Sequence, residues 1–189
     1  MKGNKGINIV ELQEKFAAIQ AELKKALDAV ESDDYKASFG ILSKVTKYIV
    51  ENCEGLGLAL ENVPFDGFDG PKFWRTLNQC WIFSLEHAAS CANKNRSKQR
   101  PQTESNSESQ KSSEETDKLN DGEDKKDLKQ EENIPIFSAE YIVNLQQDVV
   151  AWSESLACYG LVDYEMGFWE TDIMDTLESI RKAIDQPVQ

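Results

Sequence analysis

The sequence predicts an all-α fold: a single five-helix bundle with a long disordered acidic and polar loop inserted between helices 3 and 4. Three observations support this prediction. Apolar residues recur at steps of three and four in five separate segments, which is the spacing of one helix face. No segment shows the alternation that is typical of a strand. Residues 94–133 contain no aromatic residue and only two apolar ones, Leu119 and Leu128, which is typical of a disordered segment.

Two helices are predicted before residue 64. The first apolar stripe stops before Ser32, Asp33 and Asp34, which offer a cap. The second helix must end by Val63, because a residue that precedes proline is disfavoured in the helical region. The stripes are Ile9, Leu12, Phe16, Ile19, Leu23, Leu27 and Val30 for helix 1, and Phe39, Leu42, Val45, Ile49, Cys53, Leu56 and Leu60 for helix 2.

A loop with the sequence PFDGFDG leads into the third helix, which is expected to begin at Pro71. Proline suits the first helical position because the N–H that it lacks would have no helical partner there. The motif FWRT at residues 73–76 opens this helix. Its stripe is Phe73, Leu77, Cys80 or Trp81, Ser84, Ala88 and Cys91.

Two further helices follow the polar segment. Ser138 is a candidate N-cap for helix 4, and Gly160 is expected to end that helix. Helix 5 ends in a turn that contains Arg181 and Lys182, where positive charge is favourable. The stripes are Ile142, Leu145, Val149, Trp152 and Leu156 for helix 4, and Met166, Trp169, Ile173, Leu177, Ile180 and Ile184 for helix 5.

Residues 1–93 and 134–189 are expected to form one domain, with residues 94–133 looping out of it. Helices 4 and 5 alone would make only a hairpin, with their apolar stripes poorly covered. The loop cannot bury enough surface to offset the conformational entropy of ordering it. Ser105 and Ser112 each precede an acidic residue by three positions, the pattern that acidophilic kinases prefer, so both are predicted phosphorylation sites.

The charge is distributed unevenly along the chain. The formal net charge is −13, and residues 134–189 hold ten acidic side chains against only Arg181 and Lys182. Such a surface repels nucleic-acid phosphates, so nucleic-acid binding is not expected, whereas a protein partner with a basic surface is compatible with it. No apolar run predicts a membrane span, and the first residues lack the apolar region of a secretory signal. A cytoplasmic or nuclear location is therefore expected.

Residues that carry catalytic or metal chemistry are scarce. His87 is the single histidine, so any imidazole chemistry would depend on it, and we expect it to be a partly buried or interfacial helix residue. The glycines of ENCEGLGLAL lack the spacing of a dinucleotide-binding turn. Cysteines occupy apolar positions of the pattern and are expected to be buried, reduced thiols: Cys53, Cys80, Cys91 and Cys158. We expect no catalytic, cofactor-binding or metal-binding residue.

Two aromatic pairs stand out, in FWRT at residues 73–76 and FWET at residues 168–171. Each pair follows a loop rich in Gly and Asp and precedes an amphipathic stripe. Such a pair widens the apolar face of a first helical turn and anchors it in a core, which is the interpretation we favour. The alternatives are an internal repeat and a partner-binding surface at the end of the bundle. The candidate partner-binding residues are Phe68, Trp74, Tyr164, Phe168 and Trp169.

The segment ILSKVTKYIVENCEGLGLALENVPFDG, followed by PKFWRTLNQCWIFSLEHAA, resembles the N-terminal helical hairpin of the cyclin-D-interacting protein family. The resemblance covers residues 41–91, about a quarter of the chain. It implies a bundle of up-and-down helices like those of vinculin and catenin domains, with an acidic segment in mid-chain. It also implies partners such as cyclin D or helix-loop-helix transcription factors. This chain is much shorter than the family, and its C-terminal helices have no counterpart in the resemblance.

The predicted function is that of a non-enzymatic helical adaptor, which binds another protein through an acidic face and bundle-end aromatics. The resemblance implies that this adaptor is a cell-cycle or transcription regulator. The alternative is a structural subunit of a multiprotein complex, whose helical core a partner chain completes. A monomeric state fits the first hypothesis, and a heteromeric one fits the second.

Overall fold

The computed structural model describes residues 8–59, 64–98, 138–163 and 167–185. Within them the chain forms five α-helices, and the only strand-like feature is an isolated bridge between Val162 and Phe168. The predicted all-α, five-helix fold is confirmed. The helices are α1 (Ile9–Glu31), α2 (Tyr35–Glu51), α3 (Gly70–Lys98), α4 (Ala139–Ala157) and α5 (Glu170–Asp185).

Polar side chains cap the helices at their N-termini. The Ser138 side chain accepts a hydrogen bond from the backbone N–H of Tyr141 at 3.1 Å, so this predicted cap is confirmed. Asp34 accepts from the N–H of Ala37 at 3.0 Å and begins α2. Each cap satisfies one of the backbone N–H groups that lack a partner in the first helical turn.

The five helices share one core. α1 packs on α2 and α3, α3 packs on α5, α4 packs on α5, and α2 contacts both α3 and α4. Helices from both sides of residues 99–137 therefore contribute to a single apolar cluster. Its largest fully buried side chains include Trp74, Trp81, Phe39 and Phe168.

The end of α2 departs from the prediction. The helix stops at Glu51, and consecutive turns follow as far as residue 59. Leu56 and Leu58 remain buried in these turns, so the apolar pattern continues without the helix. Gly57 has a φ of +73°, which other residues rarely adopt, and a Cβ there would lie 3.3 Å from Pro64.

Other boundaries also shift. α3 begins at Gly70, one residue before the expected Pro71, and runs to Lys98. Residues 94–98 are thus helical, although the predicted loop began at 94, and residues 99–133 of that loop lie outside the described residues. α5 begins at Glu170, so Phe168 and Trp169 precede it, whereas Phe73 and Trp74 lie inside α3.

The prediction of four buried cysteines is partly wrong. Cys53 and Cys80 are buried, Cys91 is half-buried, and Cys158 is exposed just after α4. All four thiols are free. Burial raises the pKa of both Cys53 and Cys80 to about 11. None of the described helices is long and apolar enough to cross a membrane.

Candidate functional site

A cleft runs along the surface between α3 and α5, with a volume of about 610 Å³. The α3 side consists of residues at positions i, i+3, i+4 and i+7, and the α5 side begins with the residue that precedes the helix. Steps of three and four place the residues of each helix on one face. The lining residues are Gln79, Ile82, Phe83 and Glu86 on α3, and Trp169, Asp172, Asp175 and Thr176 on the α5 side.

Trp169 is positioned by a buried asparagine of α3. The backbone N–H of Trp169 donates to Asn78 Oδ1 at 3.1 Å, and Asn78 Nδ2 donates to the carbonyl oxygen of Gly167 at 2.8 Å. Phe168 lies between these two contacts and is fully buried against Trp152, with ring centroids 6.3 Å apart. The half-buried Trp169 side chain is therefore fixed at the edge of the cleft.

The beginning of α5 is fixed by Asp163. Its carboxylate accepts hydrogen bonds from the backbone N–H and the hydroxyl of Thr171, at 2.9 and 2.6 Å. Asp163 has a φ of 49°, which aspartate tolerates better than most residues. These bonds set the direction in which α5 leaves the loop, and with it the place of Asp172 and Asp175 on the cleft wall.

Phe83 gives the cleft an exposed aromatic surface. Its side chain is 48% exposed, although the neighbouring residues Leu85 and Trp81 of the same helix are fully buried. Ile82 beside it is half-buried against the core. Sequence reasoning missed Phe83, and the signal was an aromatic residue that lies off the apolar stripe of its helix.

The charge of the cleft is negative. Glu86, Asp172 and Asp175 are exposed, and within the described part of the chain no lysine or arginine forms an ion pair with them. The basic residues near the end of α5 pair elsewhere: Arg181 and Lys182 lie 2.8 and 3.8 Å from the carboxylate of Glu178. The hydrogen bond from Arg181 lowers the pKa of Glu178 to about 2. The cleft therefore presents uncompensated acidic groups beside aromatic rings.

The structure separates the predicted partner-binding residues. Trp169 lines the cleft, but Trp74 and Phe168 are 1% and 0% exposed, so their prediction as exposed partner-binding aromatics is wrong. Trp74 lies near the beginning of α3 and Phe168 just before α5, and both rings pack in the core. This agrees with the favoured interpretation of the aromatic pairs, because burying a large aromatic ring is energetically more favourable than exposing it. Tyr164, Ser105 and Ser112 lie outside the described residues.

Phe68 belongs to a different place on the surface. It packs on Phe16 of α1 with ring centroids 4.6 Å apart, and on Phe65 and Phe73 at 5.5 and 5.7 Å. These four rings line a small pocket of about 260 Å³, to which Trp169 does not contribute. The predicted residues therefore do not form one patch.

A second cluster of polar groups joins the α1–α2 turn to α3. Side-chain ligand atoms of Asp33, His87 and Cys91 all lie within 4.8 Å of one another. The Tyr35 hydroxyl lies 2.7 Å from Asp33 Oδ1 and 2.9 Å from both His87 Nδ1 and Cys91 Sγ. His87 is exposed, and its ring is not buried in the core. The sequence signal for this cluster was the spacing of His87 and Cys91, four residues apart on one helix.

Comparison with protein-family models, with curated proteins and with solved structures finds no match to this chain.

Proposed function

We propose that this protein is a non-enzymatic helical adaptor, which binds a basic segment of another protein in the cleft between α3 and α5. The observation that carries the proposal is the combination of exposed aromatic surface and unpaired carboxylates in that cleft. Phe83 and Trp169 supply the aromatic surface, and Glu86, Asp172 and Asp175 supply the charge. Lysine and arginine side chains match both features, through ion pairing and through contacts with aromatic faces.

The openness of the cleft, rather than its size, favours a segment of a protein over an enclosed small ligand. Its volume is about 610 Å³, and it is open to solvent along the surface. The Thr176 hydroxyl in the cleft donates to the backbone oxygen of Asp172 at 2.8 Å, so it already has a partner within α5. The remaining polar lining consists of carboxylates, the amide of Gln79 and the indole N–H of Trp169. The carboxylates suit recognition, because they accept hydrogen bonds from cationic side chains.

The distribution of charge supports the same partner. Residues 134–189 carry ten acidic side chains against two basic ones, and α5 contributes a large part of them. A field of one sign attracts a basic partner over a distance of about one Debye length, roughly 8–10 Å at physiological salt. Residues 41–91 resemble the cyclin-D-interacting family, and from this resemblance we propose that the partner is a cell-cycle or transcription regulator.

Binding of two labelled peptides tests this function. The first is an amphipathic peptide rich in lysine, arginine and leucine, and the second replaces its basic residues with glutamate. We expect the basic peptide to bind with an affinity that falls as salt rises, and the acidic peptide not to bind. The double variant Asp172→Asn with Asp175→Asn should weaken binding by roughly 2–30-fold, since each ion pair at an exposed position contributes about 0.2–1 kcal/mol.

A matched control separates the cleft from general charge. Asp28→Asn with Glu31→Gln removes the same two charges from exposed positions of α1 and should leave binding nearly unchanged. Equal weakening by both double variants would show that net charge alone attracts the peptide and would overturn the proposal. Affinity purification from native extract, with wild-type protein and the Asp172/Asp175 variant in parallel, would then identify the partner by mass spectrometry.

One observation favours the alternative, a structural subunit. An apolar groove of about 350 Å³ lies between α1 and α2, where Ile41, Tyr48 and Ala18 are among the lining residues. A helix from a partner chain would cover this groove and extend the core. Sedimentation of the purified protein distinguishes the two functions, because an adaptor should remain a monomer whereas an incomplete subunit should oligomerise or aggregate.

A further inference from the structure

The cluster of Asp33, Tyr35, His87 and Cys91 has the composition of a transition-metal site. It offers a carboxylate oxygen, a phenol oxygen, an imidazole nitrogen and a thiol sulfur. Zinc is bound in proteins by Cys, His and Asp side chains in a tetrahedral arrangement, whereas calcium and magnesium prefer oxygen ligands alone. The mixture of sulfur, nitrogen and oxygen therefore favours zinc over the hard cations.

The distances among Asp33, His87 and Cys91 are close to those between the ligands of a metal site. Cys91 Sγ lies 3.8 Å from Asp33 Oδ1, and the ligand atoms of Asp33, His87 and Cys91 are all within 4.8 Å of one another. Metal–ligand bonds of about 2.0–2.3 Å place tetrahedral ligands roughly 3.3–3.8 Å apart. A shift of about 1 Å or less would close the set, and rotation of the exposed Asp33 and His87 side chains supplies it.

Tyr35 adds a fourth candidate ligand, which is hydrogen-bonded to the others at distances shorter than those between tetrahedral ligands. Its hydroxyl is within 2.9 Å of all three other groups, and the residue is only 5% exposed. The ring is therefore held in the core while its oxygen points into the cluster. The hydroxyl has one proton, so it donates to one of these neighbours and accepts from the others. A bound cation would replace these hydrogen bonds with metal–ligand bonds.

The backbone on both sides positions these ligands before any metal binds. His87 and Cys91 are four residues apart on α3 and so project from one face of the helix. Asp33 has a φ of 58° in the turn between α1 and α2, and its N–H donates to the carbonyl oxygen of Val30 at 2.9 Å. A non-glycine residue held in the left-handed region is a feature that clusters at ligand sites.

We propose that Asp33, Tyr35, His87 and Cys91 bind one zinc ion, which joins the α1–α2 turn to the middle of α3. All four positions are filled by protein groups, so the ion has a structural role. Binding converts the Cys91 thiol to a thiolate and the Tyr35 phenol to a phenolate, and releases both protons to solvent. The Tyr35 oxygen must move away from the other three ligands to admit the ion. The site neighbours the α3–α5 cleft, because the rings of Phe83 and His87 are 5.9 Å apart, but the cleft lining includes none of the four ligands.

Cobalt serves as the spectroscopic probe, on the full chain prepared without a histidine tag, reduced and treated with a chelator. One equivalent of Co²⁺ should produce the intense visible absorption bands of a tetrahedral site. It should also produce a near-ultraviolet charge-transfer band from the thiolate sulfur to cobalt. One equivalent of Zn²⁺ should remove both. Cys91→Ser should abolish the near-ultraviolet band, while the matched control Cys158→Ser, at an exposed thiol outside the cluster, should retain it.

Affinity measured by competition with a zinc chromophore gives the second readout. His87→Ala should weaken zinc binding by about 100-fold or more, and Tyr35→Phe by about 10–100-fold. Circular dichroism would verify that each variant is folded, and His87 is exposed, so its replacement leaves the core intact. The proposal is overturned if the wild-type protein gives no tetrahedral cobalt spectrum, or if Cys91→Ser and His87→Ala bind zinc as tightly as wild type.

Discussion

The side-chain amide of Asn78 donates a hydrogen bond to the carbonyl oxygen of Gly167 at 2.8 Å, across 89 positions of sequence. The oxygen of the same side chain accepts from the N–H of Trp169 at 3.1 Å. Asn78 is fully buried, so water does not replace either bond. One polar side chain of α3 thus determines where the segment before α5 lies, and with it the aromatic edge of the candidate cleft.

Replacement of Asn78 by leucine should destabilise the protein by about 2–4 kcal/mol, because two buried backbone groups lose their partners. Urea denaturation followed by circular dichroism measures the change. Gln79→Leu is the control at the neighbouring exposed position and should change stability by less than about 0.5 kcal/mol. A near-neutral result for Asn78→Leu would show that the two bonds contribute little to folding.

Gly167 should not tolerate even alanine. A Cβ at this position would lie 2.4 Å from the carbonyl carbon of Leu161 and 2.6 Å from its oxygen, and backbone atoms cannot move aside as a flexible side chain can. We expect Gly167→Ala to cost about 3 kcal/mol or more. Gly40→Ala is the matched control in α2, where an added Cβ would meet no atom within 4 Å other than those of the adjoining residues and helix backbone. It should stabilise the helix by about 0.5–1 kcal/mol. Thermal denaturation measures both variants, and a higher melting temperature for Gly167→Ala than for Gly40→Ala would contradict the described packing.

Trp152 connects α4 to two other parts of the core. Its ring centroid lies 5.9 Å from that of Trp81 and 6.3 Å from that of Phe168. Trp152→Ala should therefore destabilise by about 3–5 kcal/mol, as expected for a large buried ring. Trp152→Phe, which keeps an aromatic ring, should lose distinctly less in the same denaturation experiment. Equal, small losses in both would place Trp152 outside the energetically important core.

Stability should decline at alkaline pH, in part because of Cys80. Burial raises the pKa of this thiol from 9.0 to about 11. Between these values the unfolded chain loses the thiol proton while the folded chain retains it, so the free energy of unfolding falls as the pH rises. The loss attributable to Cys80 should reach about 2 kcal/mol at about pH 10.5.

Cys80→Ala tests this contribution, since alanine keeps the position apolar and removes the titrating group. The free energy of unfolding should then decline less between about pH 8 and about pH 10.5 than it does in wild type. Cys158→Ala, at an exposed thiol, should keep the wild-type slope. Identical slopes for all three proteins would mean that other groups cause the alkaline decline.

Local signals predicted the helices well where one residue type determines a boundary. Ser138 was identified as a cap because its side chain bonds to a backbone N–H only three residues away. The end of α2 was not predictable in this way. Leu56 is buried in a turn at the position that a continuing helix would also have buried, so apolar periodicity cannot distinguish the two conformations.

The candidate sites were harder to predict because they depend on contacts between distant segments. The Tyr35 hydroxyl meets Cys91 across 56 positions of sequence, and no periodic pattern contains that information. Exposure of the aromatic pairs was equally ambiguous. Phe168 and Trp169 are adjacent, yet Phe168 is fully buried against Trp152 whereas Trp169 is half-buried at the edge of the cleft.

The shared core has a consequence for biosynthesis. Trp81 is covered by Trp152, and Asn78 finds its partners only at Gly167 and Trp169, all of which the ribosome adds after α3 is complete. At translation rates of about 5–20 residues per second, α3 must wait on the order of ten seconds for α4 and α5. During that interval its tryptophans are accessible to chaperones, so the shared core is expected to form only after α5 has been synthesised.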